Sequence, residues 1–221
     1  MSDERMGIER VLVVFAHPSR DSLNGAILQA YLEGLEEARL DYRLRDLYAI
    51  GFNPVLDRDE WMGGFAGKVP PDCAEEQEHI LWADALTWIF PAWNFGLPAI
   101  LKGYLDRVFL IPGFSFQSDD TGSTYHGGLL GHKKALIIQT LGGDLQTGFR
   151  FGNVSGYAQT ATSSFYYAGL RHVQVQQFWN LYRERTKDSA SIRQVLECAR
   201  RLGAEYDLGV SKGVQSVSSL L

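Results

Sequence analysis

Short apolar runs rich in β-branched and aromatic residues, separated by stretches of helical period, constrain this chain more than any other feature. They fall at residues 11–16, 85–90 and 135–140. Each is too short for a buried helix and suits a strand sealed on both faces. Between them, apolar residues recur every three to four positions; Leu23, Ile27, Tyr31, Leu35 and Ala38 form one such stripe on a helix over 23–40. Strands alternating with helices predict a parallel sheet with helices on both faces.

The remaining elements follow from the same reading. Residues 41–46 form a more polar strand at a sheet edge, and 172–178 supply a fifth strand. Helices are predicted over 72–83, capped by Asp72, over 98–109, beginning at a proline, and over 156–169 and 189–202. Residues 47–69 hold Gly, Pro and Asp without a clean period and read as a long surface loop. One domain over 1–221 is expected, with loose tails at 1–9 and 209–221. Five strands without a dinucleotide-binding glycine fingerprint predict an α/β fold, a flavodoxin-like five-stranded parallel sheet.

Composition narrows the partners. A net charge of −5 argues against nucleic acid as a partner. Apolar runs fall short of the ~20 residues a membrane span requires, and the polar first ten residues do not resemble a signal peptide. Two distant cysteines, Cys73 and Cys198, point to reduced thiols in a cytoplasmic protein. His79, His126, His132 and His172 are scattered without acidic partners at ligand spacing, so no metal site is expected. Lys102 and Arg107 are expected to face solvent or a second subunit.

In a doubly wound sheet the ligand sits outside the carboxyl ends of the strands. That geometry predicts three converging loops: 17–24, 91–97 and 140–148. The first, with His17, Ser22 and the amides opening a helix, suits phosphate, although Asp21 and Ser22 are also ordinary N-caps. The second exposes Trp93 and Phe95, apolar surface for a planar heteroaromatic ring, or else a plug between loop and helix. The third, Thr140-Leu141-Gly142-Gly143, lets backbone amides approach a ligand, or else makes a tight turn.

At these residues the chain resembles the NAD(P)H:quinone oxidoreductase family of flavodoxin-like flavoproteins. The most specific match is Phe90-Pro91 followed by Phe95-Gly-Leu-Pro-Ala-Ile-Leu-Lys-Gly-Tyr-Leu-Asp-Arg-Val-Phe109. Ala16-His17-Pro with Ser22-Leu-Asn24, Asp46-Leu-Tyr, Phe52-Asn-Pro54, Glu76-Gln77 and Thr140-Leu-Gly-Gly143 follow in family order. The resemblance implies that His17, Ser22, Leu23, Asn24 and Gln77 contact the phosphate and ribose of a flavin. It implies that Pro91, Ala92, Trp93, Asn94 and Phe95 line the ring, that Thr140, Leu141, Gly142 and Gly143 close its pyrimidine side, and that Phe116 lines a substrate pocket.

The implied cofactor is FAD, with FMN used by some relatives, and NAD(P)H is the electron donor. The implied acceptor is a quinone or similar electrophile, and the assembly a homodimer with its sites at the interface. An electron-transfer flavodoxin, an ancillary subunit of a potassium-efflux system and a non-flavin interaction module are the alternatives on the same fold. Two departures stand out. Gly148 occupies the place of a family tyrosine and no histidine follows through residue 155, which leaves Tyr157 as the nearest phenol. Trp93-Asn94 also replaces the more usual Gln-Trp.

Overall fold

The computed structural model describes residues 7–109, 114–118, 125–150, 153–181 and 189–206. The expected tails lie outside these residues apart from 7–9. The chain runs through β1 (Arg10–Phe15), α1 (Leu23–Glu37), β2 (Asp41–Asp46), α2 (Arg58–Phe65), α3 (Pro71–Trp82), β3 (Ala85–Pro91) and α4 (Ala99–Tyr104). A π-helical turn (Leu105–Phe109) continues α4. Then come β4 (Phe116–Ser118), β5 (Tyr125–Gly128), β6 (Lys134–Thr140), α5 (Leu145–Arg150), α6 (Asn153–Tyr167), β7 (His172–Phe178) and α7 (Ser189–Ala204).

Five strands form one sheet in the order β2-β1-β3-β6-β7, every neighbouring pair parallel. This is the flavodoxin-like order. β3 lies between β1 and β6 and all seven of its residues are buried, which explains its unbroken apolar run. β2 closes one edge, with Asp41 and Arg43 exposed, Tyr42, Leu44 and Arg45 half-buried and Asp46 buried, as its polar sequence predicts. One face packs Val11, Val13, Ile89 and Ile138 on Ile27, Tyr31 and Leu35 of α1 and Val195 of α7. The other packs Leu12, Trp88 and Ile137 on Ile80 of α3, Tyr104 of α4 and Phe165 of α6.

Several boundaries differ from the sequence reading for identifiable reasons. Helix α1 ends at Glu37 because Arg39 turns left-handed (φ 58°), and Leu40 N–H returns to the Leu35 carbonyl. The stretch 47–69 is not all loop. Asp57 accepts from the amides of Asp59 and Glu60 and starts α2 there.

Pro70, not Asp72, stands at the cap of α3, because the helix already begins at Pro71, a tolerated first position, and Asp72 falls inside the first turn, where it pairs with Arg107 (2.6 Å). Arg107 itself is the largest correction: it is 3% exposed, not turned to solvent. Its guanidinium donates to both Glu60 oxygens, to both Asp72 oxygens and to the Asn53 carbonyl. Lys102 is exposed as expected and pairs with Asp106 one turn on. His79 does have an acidic neighbour, Glu75 at 3.7 Å.

The π-helical turn breaks the regular ladder, and side chains satisfy two of the carbonyls it holds. Gln77 Nε2 donates to Val108 (3.0 Å) and Ser115 Oγ to Phe109. Beside it, Gly103 lets the chain at Pro54 pass close, since a Cβ there would fall 2.1 Å from the Pro54 carbonyl oxygen. Both cysteines are free, and burial pushes the Cys73 thiol up to about 12, so it holds its proton. Among the described residues no helix is long and apolar enough to cross a membrane.

Candidate functional site

Parallel strands place every strand-to-helix loop at one edge of the sheet, and three of these loops are tied to one another there. Asn24, in the first turn of α1, and Thr140, the last residue of β6, are both buried. Asn24 Nδ2 lies 3.0 Å from Thr140 Oγ1, and that hydroxyl lies 3.2 Å from Asn24 Oδ1. The Thr140 carbonyl in turn accepts from Ala92 N–H (2.8 Å), at the head of the second loop. Thr140 thus couples the first loop to the second through one residue.

The first loop is built around His17. Its Nδ1 accepts from Ser19 N–H (3.1 Å) and lies 3.1 Å from Ser22 Oγ. Ser22 also caps α1 by accepting from Gly25 N–H (3.1 Å), so the ordinary N-cap reading of this residue holds. Arg20 reaches across to Asp46 at the end of β2, Nε to Oδ2 at 2.5 Å, and lies over the Phe15 ring. An open groove of about 640 Å³ runs outside the start of α1, lined by Arg20, Asp21, Ser22, Leu23, Gln29 and Ile192.

The second loop is a two-residue hairpin. Trp93 and Gly96 exchange both backbone bonds (3.1 and 3.0 Å), and Asn94 and Phe95 both have positive φ, 46° and 64°. That is a type I′ turn, which favours Asn-Gly. Asn94 suits its position, whereas Phe95 carries on the order of 1–2 kcal/mol of left-handed strain. In return the turn holds an aromatic ring in the open: Phe95 is 64% exposed and Trp93 42%. Trp93 leans on the His17 ring at 5.7 Å and so joins the first and second loops a second time. A strained turn that displays apolar surface is a feature of ligand sites more than of folding.

In the third loop Leu141 is buried and donates to the Phe178 carbonyl (2.8 Å), while Gly142 and Gly143 are exposed. A Cβ at Gly143 would meet no atom within 4 Å. Among the described residues, nothing packed around Gly143 demands glycine there. The Gly143 carbonyl accepts from Asn180 N–H (2.8 Å), which brings the end of β7 to the same edge.

His17, Ser22, Leu23, Asn24, Pro91, Ala92, Trp93, Asn94, Phe95, Thr140, Leu141, Gly142 and Gly143 therefore share one edge. Two predicted residues do not join them. Gln77 sits mid-way along α3 and is spent on the Val108 carbonyl. Phe116 packs on Tyr167 at the end of α6. Its strand pairs with Gly128, which abuts Ala168 and Gly169 just before β7 begins, so Phe116 lies toward the amino end of the sheet. Seven residues of strand, about 20 Å, separate that end from the three loops. Tyr157 is on α6, and its side chain lies outside the described residues.

Arg20, Ile192 and Gln139 were not singled out from sequence. Arg20 carried a signal, its place in a loop already suspected of holding an anion. Ile192 arrives from α7, about 170 residues away, and no local pattern could have announced it.

Residues 9–202 match the family model described as flavodoxin-like fold. An uncharacterized NAD(P)H oxidoreductase of Haemophilus influenzae is 33% identical over 173 residues, 77% of this chain and 84% of that protein. NAD(P)H dehydrogenase [quinone] 1 of Rattus norvegicus is 34% identical over 155 residues, 62% of this chain and 55% of the rat enzyme. Among solved structures, NAD(P)H:quinone oxidoreductase from Methanothermobacter marburgensis superposes with a TM-score of 0.77 at 28% identity. It covers 90% of this chain and 100% of that one. The chain belongs to the flavodoxin-like fold family.

Proposed function

We propose that this member of the flavodoxin-like family is a flavin-dependent NAD(P)H oxidoreductase that passes hydride from NAD(P)H, by way of a bound flavin, to a quinone or similar small electrophile. The observation that carries this reading is the junction at Thr140. It ties a helix-opening loop suited to phosphate to a hairpin that displays Trp93 and Phe95. The Haemophilus and Methanothermobacter relatives are named for NAD(P)H oxidoreductase activity, in agreement with it.

The residues at the edge fit a flavin. The amides opening α1, with His17 and Ser22, would take the phosphate, where the helix end carries partial positive charge. Trp93, Asn94 and Phe95 would support one face of the ring, and the backbone from Thr140 to Gly143 its pyrimidine end. The flavin supplies the hydride chemistry, so no side-chain nucleophile is required. The work of the chain is to hold the ring flat against the hairpin and to keep donors at its polar end.

Two finer points belong to the same reading. The groove beside Arg20 and Ile192 adjoins the phosphate loop and has room for the adenosine half of FAD, which favours FAD over FMN. Phe116 lies too far from its own loops to line their pocket, and this supports a homodimer in which a second copy completes each site. The protein is read as one cytoplasmic domain.

Absorption spectroscopy of protein incubated with FAD and with FMN, followed by mass analysis of what is retained, tests the proposal. A yellow protein retaining FAD, bleached by NADH or NADPH without oxygen and restored by a benzoquinone, is expected. Protein that stays colourless with both flavins refutes the reading. A yellow protein that neither nucleotide bleaches is an electron-transfer flavodoxin instead.

A further inference from the structure

Below the third loop, the last turn of the β6–β7 ladder carries amides where the rest of that face is apolar. Gln139 and Gln177 are register partners on the face that otherwise presents Ala135, Ile137 and Val173. Both glutamines are buried, 1% and 2% exposed. Trp179 Nε1 donates to Gln177 Oε1 at 3.3 Å, and Gln177 Nε2 donates to Gln139 Oε1 at 2.8 Å.

These two bonds fix both amide orientations. The Gln139 oxygen is committed to the β7 side, which leaves its nitrogen on the side away from β7. There, among the described residues, Nε2 has no hydrogen-bond partner.

Folding alone does not favour this arrangement. A buried donor left without an acceptor costs on the order of 1–3 kcal/mol, and leucine or isoleucine at 139 would avoid it. Trp88, whose Nε1 is the other buried side-chain donor without a partner among the described residues, pairs in register with Ile137 two rungs deeper, among Tyr104, Phe109 and Phe165. Gln139 is different in position: it directly precedes Thr140, Leu141, Gly142 and Gly143, and its neighbour across the ladder is Phe90, at the base of the aromatic hairpin. The three N–H dipoles run in one direction, from Trp179 at the sheet edge inward, and their positive end is the amide of Gln139, the residue before Thr140. In a buried, low-dielectric setting such an aligned chain acts at greater range than it would in water.

We propose that this chain of amides is an electrostatic device for the bound flavin, with Gln139 as a positioning residue that favours the more negative, reduced form of the ring. The inference rests on the flavin reading above. A buried dipole aimed at developing charge discriminates between two charge states, so it acts on the reduction potential and hardly on affinity for the oxidised ring.

The test uses flavin-loaded protein and measures its midpoint potential together with the dissociation constant of oxidised flavin. Gln139→Leu moves the unpaired N–H to Gln177, so the number of unmatched donors is unchanged and the fold is retained. The expected result is oxidised-flavin affinity within about twofold of wild type. Preference for the reduced ring falls about tenfold, equivalent to about 30 mV more negative for a two-electron couple. Gln139→Glu, which still accepts from Gln177 but offers oxygen in place of the donor, shifts the potential further the same way. Gln177→Leu leaves the donor free to turn and shifts it less; this variant carries the test if Gln139→Leu fails to fold. Potentials that do not move in any of these variants, or that move positive, overturn the proposal. Failure of wild type to bind flavin sinks the earlier reading instead, so the two outcomes are distinct.

Discussion

Two segments leave β2 and β3, the strands on either side of β1, at the same edge of the sheet and are held in opposite ways. The excursion after β2, residues 47–69, is pinned from beneath: Arg107 meets Glu60 and Asp72, and its guanidinium also lies over Phe52 at 5.3 Å. Every charge in that junction has a partner. The hairpin after β3 is closed by two backbone bonds, carries Phe95 at positive φ and leaves both its rings exposed. Satisfied, buried polar groups mark a region built for stability. Strain combined with an exposed aromatic ring marks one shaped by something other than packing stability.

Arg107→Leu should separate the two most sharply. It strands Glu60 and Asp72 beside an apolar side chain. About 3 kcal/mol of stability should be lost, toward the lower end of the range for a broken buried pair because Asp72 is half exposed. Thermal unfolding measures this, and a melting temperature within a degree of wild type would contradict the assignment.

At the hairpin the expected effects reverse. Phe95→Gly creates the favoured Asn-Gly turn and should raise apo-protein stability by up to about 1 kcal/mol, because relief of left-handed strain outweighs the added chain entropy. It should also weaken flavin binding roughly tenfold, by removing ring contact worth about 1–1.5 kcal/mol. Phe95→Ala keeps the strain and should lose the binding alone. If either variant binds flavin as wild type does, the hairpin is structural filler.

The smallest effect concerns acid. The hydrogen bond from Arg107 holds the Asp72 carboxyl below its ordinary value, with burial opposing it. A carboxylate depressed in the folded state contributes stability above the ordinary pKa, and that contribution is lost as the pH falls through the depressed folded value. Asp72→Asn should therefore lower stability slightly at neutral pH and flatten its decline below about pH 4. Urea unfolding at both pH values reads the difference, and an unchanged slope would detach Asp72 from the junction.

Much of this contrast was legible in the residues themselves. The apolar runs announce three of the strands, and polar Asp41–Asp46 announces an edge. Trp93 and Phe95, set between prolines after a strand, announce a loop with a task. Arg107 was not legible, because an arginine among helical residues looks the same whether it meets water or two carboxylates from 35 and 47 positions away. Asp72 is not the cap because the helix starts one residue earlier, at Pro71, and the Asp72 carboxyl meets Arg107 as well as first-turn amides.

What the sequence determined by itself was what short-range periodicity and turn chemistry set: the five strands of the sheet, the longer helices, the parallel pairing and the edge at which the loops meet. What only the tertiary structure decided was which polar groups find one another. Asn24 reaches Thr140 across 116 residues, Gln139 meets Gln177 in register, and Phe116 is carried toward the opposite end of the sheet from the loops it was expected to serve. The physical reason is common to all three. Apolar burial is non-directional and leaves a repeating trace along the chain, whereas a hydrogen bond or ion pair depends on the position of one partner whose place is fixed only once the layers have packed.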